Sequence, residues 1–226
     1  MNLGGQGPII RRTFPGLETF REILLDGIPL YLATNAGWTT AVTGSGAVTQ
    51  AVAALDANTG TTTGSTARAY TLDLYLPGGT NVVVDFSKRI LWGFSIRRAT
   101  ASDADVIGRV QLKAATTEGA LAASGIGVRV ANLTLTGESY RTAGAFTATI
   151  QAMSAGVVYN VVVDHEPAVP RIRFYVNGVL QATVTDTANI PNANTASVGM
   201  IVSVLNGAGT ANAFNSIAYP FLFQEH

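Results

Sequence analysis

The feature that most constrains the fold of this chain is a pair of alternating segments on either side of an Asn-Gly dipeptide. Every second residue is apolar in Arg171–Val176, and a second strand-like segment, Val179–Val184, follows directly after Asn177 and Gly178. Side chains of a β-strand alternate between two faces, and Asn-Gly is the favoured central pair of a type I′ turn, where both residues need a positive φ. The segment therefore predicts a β-hairpin.

The same alternation recurs along most of the 226 residues. Arg109 and Gln111, for example, are predicted to face away from the side occupied by Val110 and Leu112. Ten or more short strands with turn signals every 8–12 residues are typical of an all-β sandwich or barrel, with almost no helix. Residues 34–66 carry a weaker signal, and Gln50 to Leu55 could instead form a helical turn. Further alternating segments lie near 28–32, 70–76, 90–96, 126–130, 146–150, 159–163, 198–205 and 214–223.

The N-terminal residues differ from the rest. Residues 1–27 are interrupted early by glycine and proline, and they predict an N-terminal arm that is either extended or a short helix near 17–25. Residues 28–226 are predicted to form one sandwich domain. Neither a signal peptide nor a run of about 20 apolar residues is recognisable, so we expect no membrane segment.

Charge is scarce in this sequence. Only 12% of residues are charged, and 14 Lys and Arg balance 14 Asp and Glu. This neutrality argues against nucleic-acid binding, and the absence of cysteine excludes disulfides and thiolate chemistry. We interpret the low charge as a trait of a homo-oligomer, and the pairs Arg11-Arg12 and Arg97-Arg98 as partners in salt bridges between subunits.

The C-terminal half carries a more specific pattern. A segment at 158–164 leads into the predicted hairpin at 172–180, and 90–96 has the pattern of an inner strand. Over residues 65–226 the chain resembles the concanavalin A-like (lectin, glucanase and laminin-G-like) jelly rolls. The resemblance implies an all-β, jelly-roll antiparallel β-sandwich whose last strand returns beside the first. Members of this group serve as lectins, glycanases, adhesion modules and virion surface proteins, so the fold does not fix the function.

Carboxylates are the first test of an enzymatic function. Glycoside hydrolysis needs two carboxyl groups facing each other across a cleft. Asp73 and Asp85 are isolated in predicted strands, whereas Glu118, Glu138 and Glu166 fall in predicted loops. We therefore expect no glycosidase.

Histidine and metal chemistry are equally poorly supported. His165 is expected to be an exposed turn residue, and His226 is the last residue of the sequence. A catalytic triad requires a base held by a third group, which nothing indicates. Asp103 and Asp105 could contribute to a calcium site, but an Asx turn explains them as well. The sequence predicts no catalytic residue, no metal site and no cofactor.

Glycan binding remains open. Exposed aromatic side chains are the usual platforms for sugars, and Trp38, Tyr75, Tyr140 and Tyr175 are the candidates. Packing of these residues against another subunit or the arm is the alternative.

Two functions follow from these patterns. The first is a structural virion protein of a bacteriophage, a capsid decoration (cement) or other head or tail surface subunit. It would be located in the virion and bind other virion proteins as a homo-oligomer, possibly a trimer. The alternative is a carbohydrate-binding, lectin-like module for recognition of a host receptor.

Overall fold

The computed structural model describes residues 28–30, 38–50, 54–71, 74–75, 81–82, 84–99, 106–114, 119–141, 145–193, 198–207 and 214–225. Within these ranges there is no helix. The strands are β1 (Ile28–Leu30), β2 (Thr39–Thr43), β3 (Ala47–Gln50), β4 (Ala54–Asn58), β5 (Thr66–Thr71), β6 (Leu74–Tyr75), β7 (Asn81–Val82), β8 (Ile90–Arg98), β9 (Val106–Lys113), β10 (Gly125–Ala131), β11 (Thr134–Tyr140), β12 (Ala145–Ala152), β13 (Val158–Glu166), β14 (Arg171–Val176), β15 (Val179–Val184), β16 (Gly199–Asn206) and β17 (Phe214–Gln224).

Two antiparallel sheets form a sandwich, which confirms the predicted jelly-roll architecture. The eight-stranded sheet has the order β15-β14-β13-β8-β17-β4-β3, with β1 also paired to β17. The seven-stranded sheet has the order β12-β11-β10-β9-β16-β5-β2, and β6 and β7 form a separate ribbon. Ile28 pairs with Gln224, so the C-terminal strand does return beside the first described strand.

The core lies between the two sheets. Alternate residues of β8 point into it, and the rings of Trp92 and Phe94 lie 4.9 Å apart. The seven-stranded sheet contributes Val110 and Val128, which are fully buried. Because successive side chains of a strand alternate in direction, each sheet also has an outer face that points away from this core.

The predicted hairpin is confirmed, with one shift in register between Phe174 and Tyr175. Val176 pairs with Val179, and both turn residues have a positive φ, 50° at Asn177 and 81° at Gly178. The Asn177 side chain also binds the adjoining strand β13, since its Oδ1 accepts a hydrogen bond from the backbone N–H of Asn160 at 3.0 Å.

Three expectations near the N-terminus have different outcomes. The strand beginning at Ile28 is confirmed. The helical turn considered for Gln50 to Leu55 is wrong at its described residues: Gln50 ends β3, and Leu55 lies in β4, buried in the core. The arm at residues 1–27 lies outside the described residues, and the domain boundary stays a prediction. Within the described ranges, no helix is long and apolar enough to span a membrane.

Candidate functional site

The outer face of the seven-stranded sheet carries a set of polar side chains at its centre. On β9, Val110 and Leu112 point into the core, whereas Arg109 and Gln111 point to the opposite side, as their alternation predicts. We call this outer surface, built by β5, β9, β10, β11 and β16, the polar face.

One cross-strand row of the polar face is rich in arginine. Arg68 on β5 pairs with Ser203 on β16, and Ser203 pairs with Arg109. Arg109 in turn pairs with Arg129 on β10, which pairs with Thr136 on β11. Three guanidinium groups therefore lie along one line across the sheet. Two of them, on Arg109 and Arg129, are direct neighbours.

The next row brings an amide and a carboxylate together. Gln111 pairs with Gly127 on β10, and Gly127 pairs with Glu138 on β11. A Cβ at Gly127 would lie only 2.7 Å from Cγ of Gln111. The missing side chain therefore lets Gln111 extend across β10, and its Nε2 donates a hydrogen bond of 2.9 Å to Oε2 of Glu138.

Glu138 joins the two rows. Its Oε1 lies 3.6 Å from Nε of Arg109 and 3.9 Å from Nε of Arg129. Both separations exceed the 2.7–2.9 Å of a strong charge-assisted hydrogen bond. One carboxylate is thus shared loosely between two guanidinium groups.

Several polar atoms of the polar face are buried and unpartnered. Gln111 is fully buried and Arg109 is 7% exposed. Among the described residues, Oε1 of Gln111 and the Nε atoms of Arg109 and Arg129 have no hydrogen-bond partner. The orientation of the Gln111 amide is fixed by Glu138, which can only accept. Unsatisfied buried polar groups cost free energy, and in a native protein they call for an explanation such as a bound ligand.

Electrostatics at Arg109 reflect this environment. Burial lowers the pKa of the Arg109 guanidinium, the negative charge of Glu138 opposes the shift, and the positive charge of Arg129 adds to it. Removal of Arg109 from water is therefore the dominant effect, and its carboxylate partner compensates only in part.

The polar face opens towards its margin. Thr147 and Thr149 on the edge strand β12 are exposed, and Tyr140 at the end of β11 is half-buried. The Arg129 side chain keeps 33% of its surface accessible. The arrangement is a recessed polar centre with an accessible hydroxyl-rich rim on the β12 side.

A second charged cluster lies on the outer face of the other sheet. Asp164 on β13 is fully buried, and its carboxylate accepts from Nε of Arg89 at 3.0 Å and from Nη2 of Arg173. Glu166 accepts from Nε of Arg171 at 2.7 Å. We call this set the Asp164 cluster. Its short contacts are those of a structural ion-pair network.

The expectation that His165 is an exposed turn residue is wrong. His165 lies in β13, is fully buried, and packs edge-on against Phe86 with ring centroids 5.6 Å apart. Its Nε2 is 2.7 Å from the carbonyl oxygen of Pro191. Burial lowers the pKa of His165, while hydrogen bonds with the backbone of Pro191 and Lys88 oppose the shift. It is a packed histidine because the strand continues past the point where the Asp-His-Glu-Pro sequence suggested a turn.

Two carboxylates expected in loops lie in strands instead. Glu138 is in the middle of β11 and Glu166 ends β13. Asp85 is an isolated bridge residue at the start of a turn, where its Oδ1 accepts from the backbone N–H of Ser87 at 2.8 Å. Asp73 and Glu118 lie outside the described residues.

The salt bridge between subunits predicted for the arginine pair at 97–98 is wrong for Arg98 and stays a prediction for Arg97. Arg98 is fully buried within the chain, and its Nη2 donates to the carbonyl oxygen of Val106 at 3.0 Å, so it is not placed for a salt bridge between subunits. Burial lowers the pKa of Arg98 to about 10. Arg97 is half-buried. Arg11 and Arg12 are outside the described residues.

The four aromatic candidates for glycan contact are not brought together. Tyr140 lies on the polar face, whereas Tyr175 is on the outer side of the eight-stranded sheet. Trp38 packs against the core. The side chain of Tyr75 is outside the described residues, as are Asp103, Asp105 and His226. Over the described ranges no group of three or more His, Cys, Asp or Glu residues could hold a metal ion.

The sequence did not predict this site, mainly because Glu138 was expected in a loop and not in a strand. Gly137 interrupts the apolar alternation of β11, since its position faces the ring of Phe174 across the core. The signal that could have found it is the alternation of Thr134, Thr136 and Glu138 opposite Leu135.

Comparisons with known proteins identify other structures that have this fold. No family model matches the chain, and no curated protein sequence matches it. Among solved structures it is similar to the carbohydrate recognition domain of Emp47p, with a TM-score of 0.59 and 10% identity over 89% of this chain and 98% of that one.

Two further structures share the fold. A Bacillus licheniformis β-glucanase has a TM-score of 0.56 and 12% identity over 89% of this chain and 98% of that one. A sialidase has a TM-score of 0.55 and 14% identity over 82% of this chain, which spans only 17% of the sialidase. At these identities the likeness concerns the fold alone. The chain has a jelly-roll fold similar to that of these proteins.

Proposed function

We propose that this chain is a carbohydrate-binding, lectin-like module and that the polar face is its glycan-binding surface. The proposal rests on two polar atoms without a hydrogen-bond partner, which belong to neighbouring outward residues of β9. Arg109 Nε is a donor in need of an acceptor, and Gln111 Oε1 is an acceptor in need of a donor. Their Cα atoms are about 7 Å apart, from the rise of a strand.

A sugar meets both requirements. Each hydroxyl group donates and accepts, and neighbouring hydroxyls on a pyranose ring present several such groups within a few ångströms. The exposed Thr147 and Thr149 and the half-buried Tyr140 supply hydroxyl and aromatic contacts at the margin. Emp47p, whose carbohydrate recognition domain has this fold, supports the use of the scaffold for glycan recognition.

We further propose that the module binds without cleaving. In the part of the polar face that the structure describes, Glu138 is the only carboxylate. Hydrolysis of a glycosidic bond uses two carboxyl groups on opposite sides of the scissile bond. A single glutamate held between Gln111 and two arginines is arranged to orient donors rather than to transfer a proton.

The test is a glycan array followed by titration of the best ligand. Gln111→Met keeps the length and apolar stem of the side chain but removes the amide, and we expect at least a tenfold loss of affinity. Gln181→Met on the exposed strand β15 is the matched control and should bind as the wild type does. Absence of binding to any glycan, or equal affinity of both variants, would refute the proposal.

A second candidate function is a surface subunit of a bacteriophage virion, either capsid decoration or host recognition. One observation favours it: the edge strand β15 exposes Val179 by 60% and Leu180 by 49%. Apolar side chains on an open sheet edge are suited to contacts with another protein. The low charge of the chain reduces the desolvation cost of such an interface. A glycan-binding module at a receptor-binding tip would combine both functions.

Light scattering and copurification test this second candidate. We expect the wild type to form a homo-oligomer and to remain with particles, and Leu180→Glu to weaken self-association without unfolding the domain. A stable monomer that is absent from particles would contradict it.

A further inference from the structure

We propose that the glycan recognised at the polar face is acidic, a saccharide whose carboxylate binds between Arg109 and Arg129. This inference rests on the proposed function and narrows it to uronic-acid or sialic-acid ligands. It stands on the charge of the polar face and on the spacing of its groups.

The charge at the centre of the polar face is one-sided. Among the described residues, the two arginines Arg109 and Arg129 share the single carboxylate of Glu138. The whole chain is neutral, with 14 basic and 14 acidic residues, so this excess is local. The Asp164 cluster, by comparison, has three arginines and two carboxylates.

One carboxylate, that of Glu138, lies near both central arginines, so one of the two positive charges has no matching negative charge among the described residues. Arg109 and Arg129 are direct cross-strand partners, a placement in which like charges repel. Glu138 lies at 3.6 and 3.9 Å from their Nε atoms, too far for strong hydrogen bonds to either. A second carboxylate would balance the second guanidinium and supply the acceptors that both Nε atoms lack among the described residues. Guanidinium groups match planar carboxylates particularly well, because two parallel N–H donors meet two oxygens.

The anion must belong to a polyhydroxylated molecule. Oε1 of Gln111 is an acceptor on the same face, and a carboxylate alone would leave it unsatisfied. A sugar hydroxyl next to the carboxylate can donate to this atom. The combination of a cationic pair and an orphan acceptor thus fits an acidic sugar better than a simple inorganic anion.

The experiment compares neutral oligosaccharides with acidic counterparts. Calorimetric titrations would use cellotetraose against its C6-carboxylated counterpart, and lactose against 3′-sialyllactose, with sulfated cellotetraose as a third anionic probe. We expect the carboxylated member of at least one pair to bind about tenfold more tightly than its neutral partner. That preference should shrink as salt is raised from about 50 to about 500 mM, because salt screens the accessible charge of Arg129.

Two matched variants test whether the preference for the acidic ligand arises at the polar face. Arg129 and Arg171 have nearly the same side-chain exposure, 33% and 34%, but lie on opposite sheets. Arg129→Gln should abolish the preference for the acidic ligand, whereas Arg171→Gln should retain it. Thermal unfolding of both variants verifies that each is folded.

The outcomes separate this inference from the function on which it rests. Binding of neutral and carboxylated ligands with equal affinity would overturn the acidic-glycan inference and leave the glycan-binding proposal standing. Binding of the sulfated probe without the carboxylated ones would also overturn it. Failure to bind any saccharide, neutral or acidic, would overturn both.

Discussion

The outer faces of the two sheets each hold a buried carboxylate between two arginines, and the two differ in how completely it is satisfied. Asp164 accepts from Nε of Arg89 at 3.0 Å and also from Arg173. Glu138 has one short contact, to the Gln111 amide, and its arginines stay at 3.6 Å and beyond. Both arginines of the first cluster reach its carboxylate at hydrogen-bonding distance, although Nε of Arg173 has no partner of its own. In the second, neither arginine reaches Glu138 at that distance, and the amide oxygen of Gln111 is unpartnered as well.

The two clusters also differ in how they are assembled. Asp164 and Arg173 are direct partners in the hairpin of β13 and β14, only nine residues apart in the sequence. Arg109, Arg129 and Glu138 come from three successive strands, and they meet over the gap left by Gly127. The Asp164 cluster therefore combines a local hairpin pair with Arg89, which is 75 residues from Asp164, whereas the candidate site depends on correct pairing of three successive strands.

The largest effect is expected at the Asp164 cluster. Asp164→Asn removes the charge of a fully buried carboxylate that lies between two arginines, and Arg173 then keeps only its 3.4 Å contact with Glu166. Breaking a buried ion pair on one side typically costs about 3 kcal/mol or more of unfolding free energy. Urea denaturation measures this loss, and a change below about 1 kcal/mol would contradict the structural role assigned here.

Gly127→Ala should have the next largest effect. The added Cβ would lie 2.7 Å from Cγ of Gln111 and 2.8 Å from the carbonyl oxygen of Val110, so Gln111 must move. We expect a loss of about 2 kcal/mol in stability and a strong loss of glycan affinity. Gly137→Ala, in the same sheet, is the control: its Cβ would crowd the ring of Phe174 across the core, so it should lower stability while the folded protein keeps its affinity. Equal losses of glycan affinity in Gly127→Ala and Gly137→Ala would contradict the role assigned to Gln111 on the polar face.

Acid sensitivity should arise at His165 of β13, whose side chain lies on the opposite side of the strand from Asp164 and packs against Phe86. Burial lowers its pKa in the folded protein, so below about pH 6.5 the unfolded chain binds a proton that the native state does not. The contribution is complete above about pH 6.5, and stability should fall by up to about 1.4 kcal/mol per pH unit below it. Denaturation at several pH values measures the slope. His165→Gln should have a shallower slope between about pH 6.5 and 5, and an unchanged slope would argue against this origin.

Glu138→Gln is expected to have the smallest effect on stability. It removes two long ion pairs and retains a partner for Gln111, so we expect a loss of about 1 kcal/mol or less. Urea denaturation next to Asp164→Asn makes the comparison direct. A loss as large as that of Asp164→Asn would mean that the two faces do not differ in the way described here.

Much of the fold follows from residue patterns alone. The Asn177-Gly178 turn fixed both strands of its hairpin, because few dipeptides tolerate two consecutive positive φ values. Alternation placed Arg109 and Gln111 opposite the core correctly. It failed at His165, where a proline two residues later suggested an earlier end to the strand, and at Glu138, where Gly137 hides the alternation.

The candidate site could not be predicted from the sequence in the same way. Arg109 and Glu138 are 29 residues apart, and their proximity depends on the register of β9, β10 and β11. A shift of one residue in that register would turn either side chain to the other face. The sequence around Arg109 does not indicate that Glu138 is its partner, and the sequence around Glu138 does not indicate Arg109.

The sequence by itself determined that this chain is an all-β sandwich, because the period of apolar side chains and the turn residues are local properties. It also set the overall charge balance. Only the tertiary structure decided where that charge goes: in the described part of a neutral chain, Arg109 and Arg129 come together on one sheet face around the single carboxylate of Glu138. Strand order and register decide such placement, and they arise from pairing between distant segments.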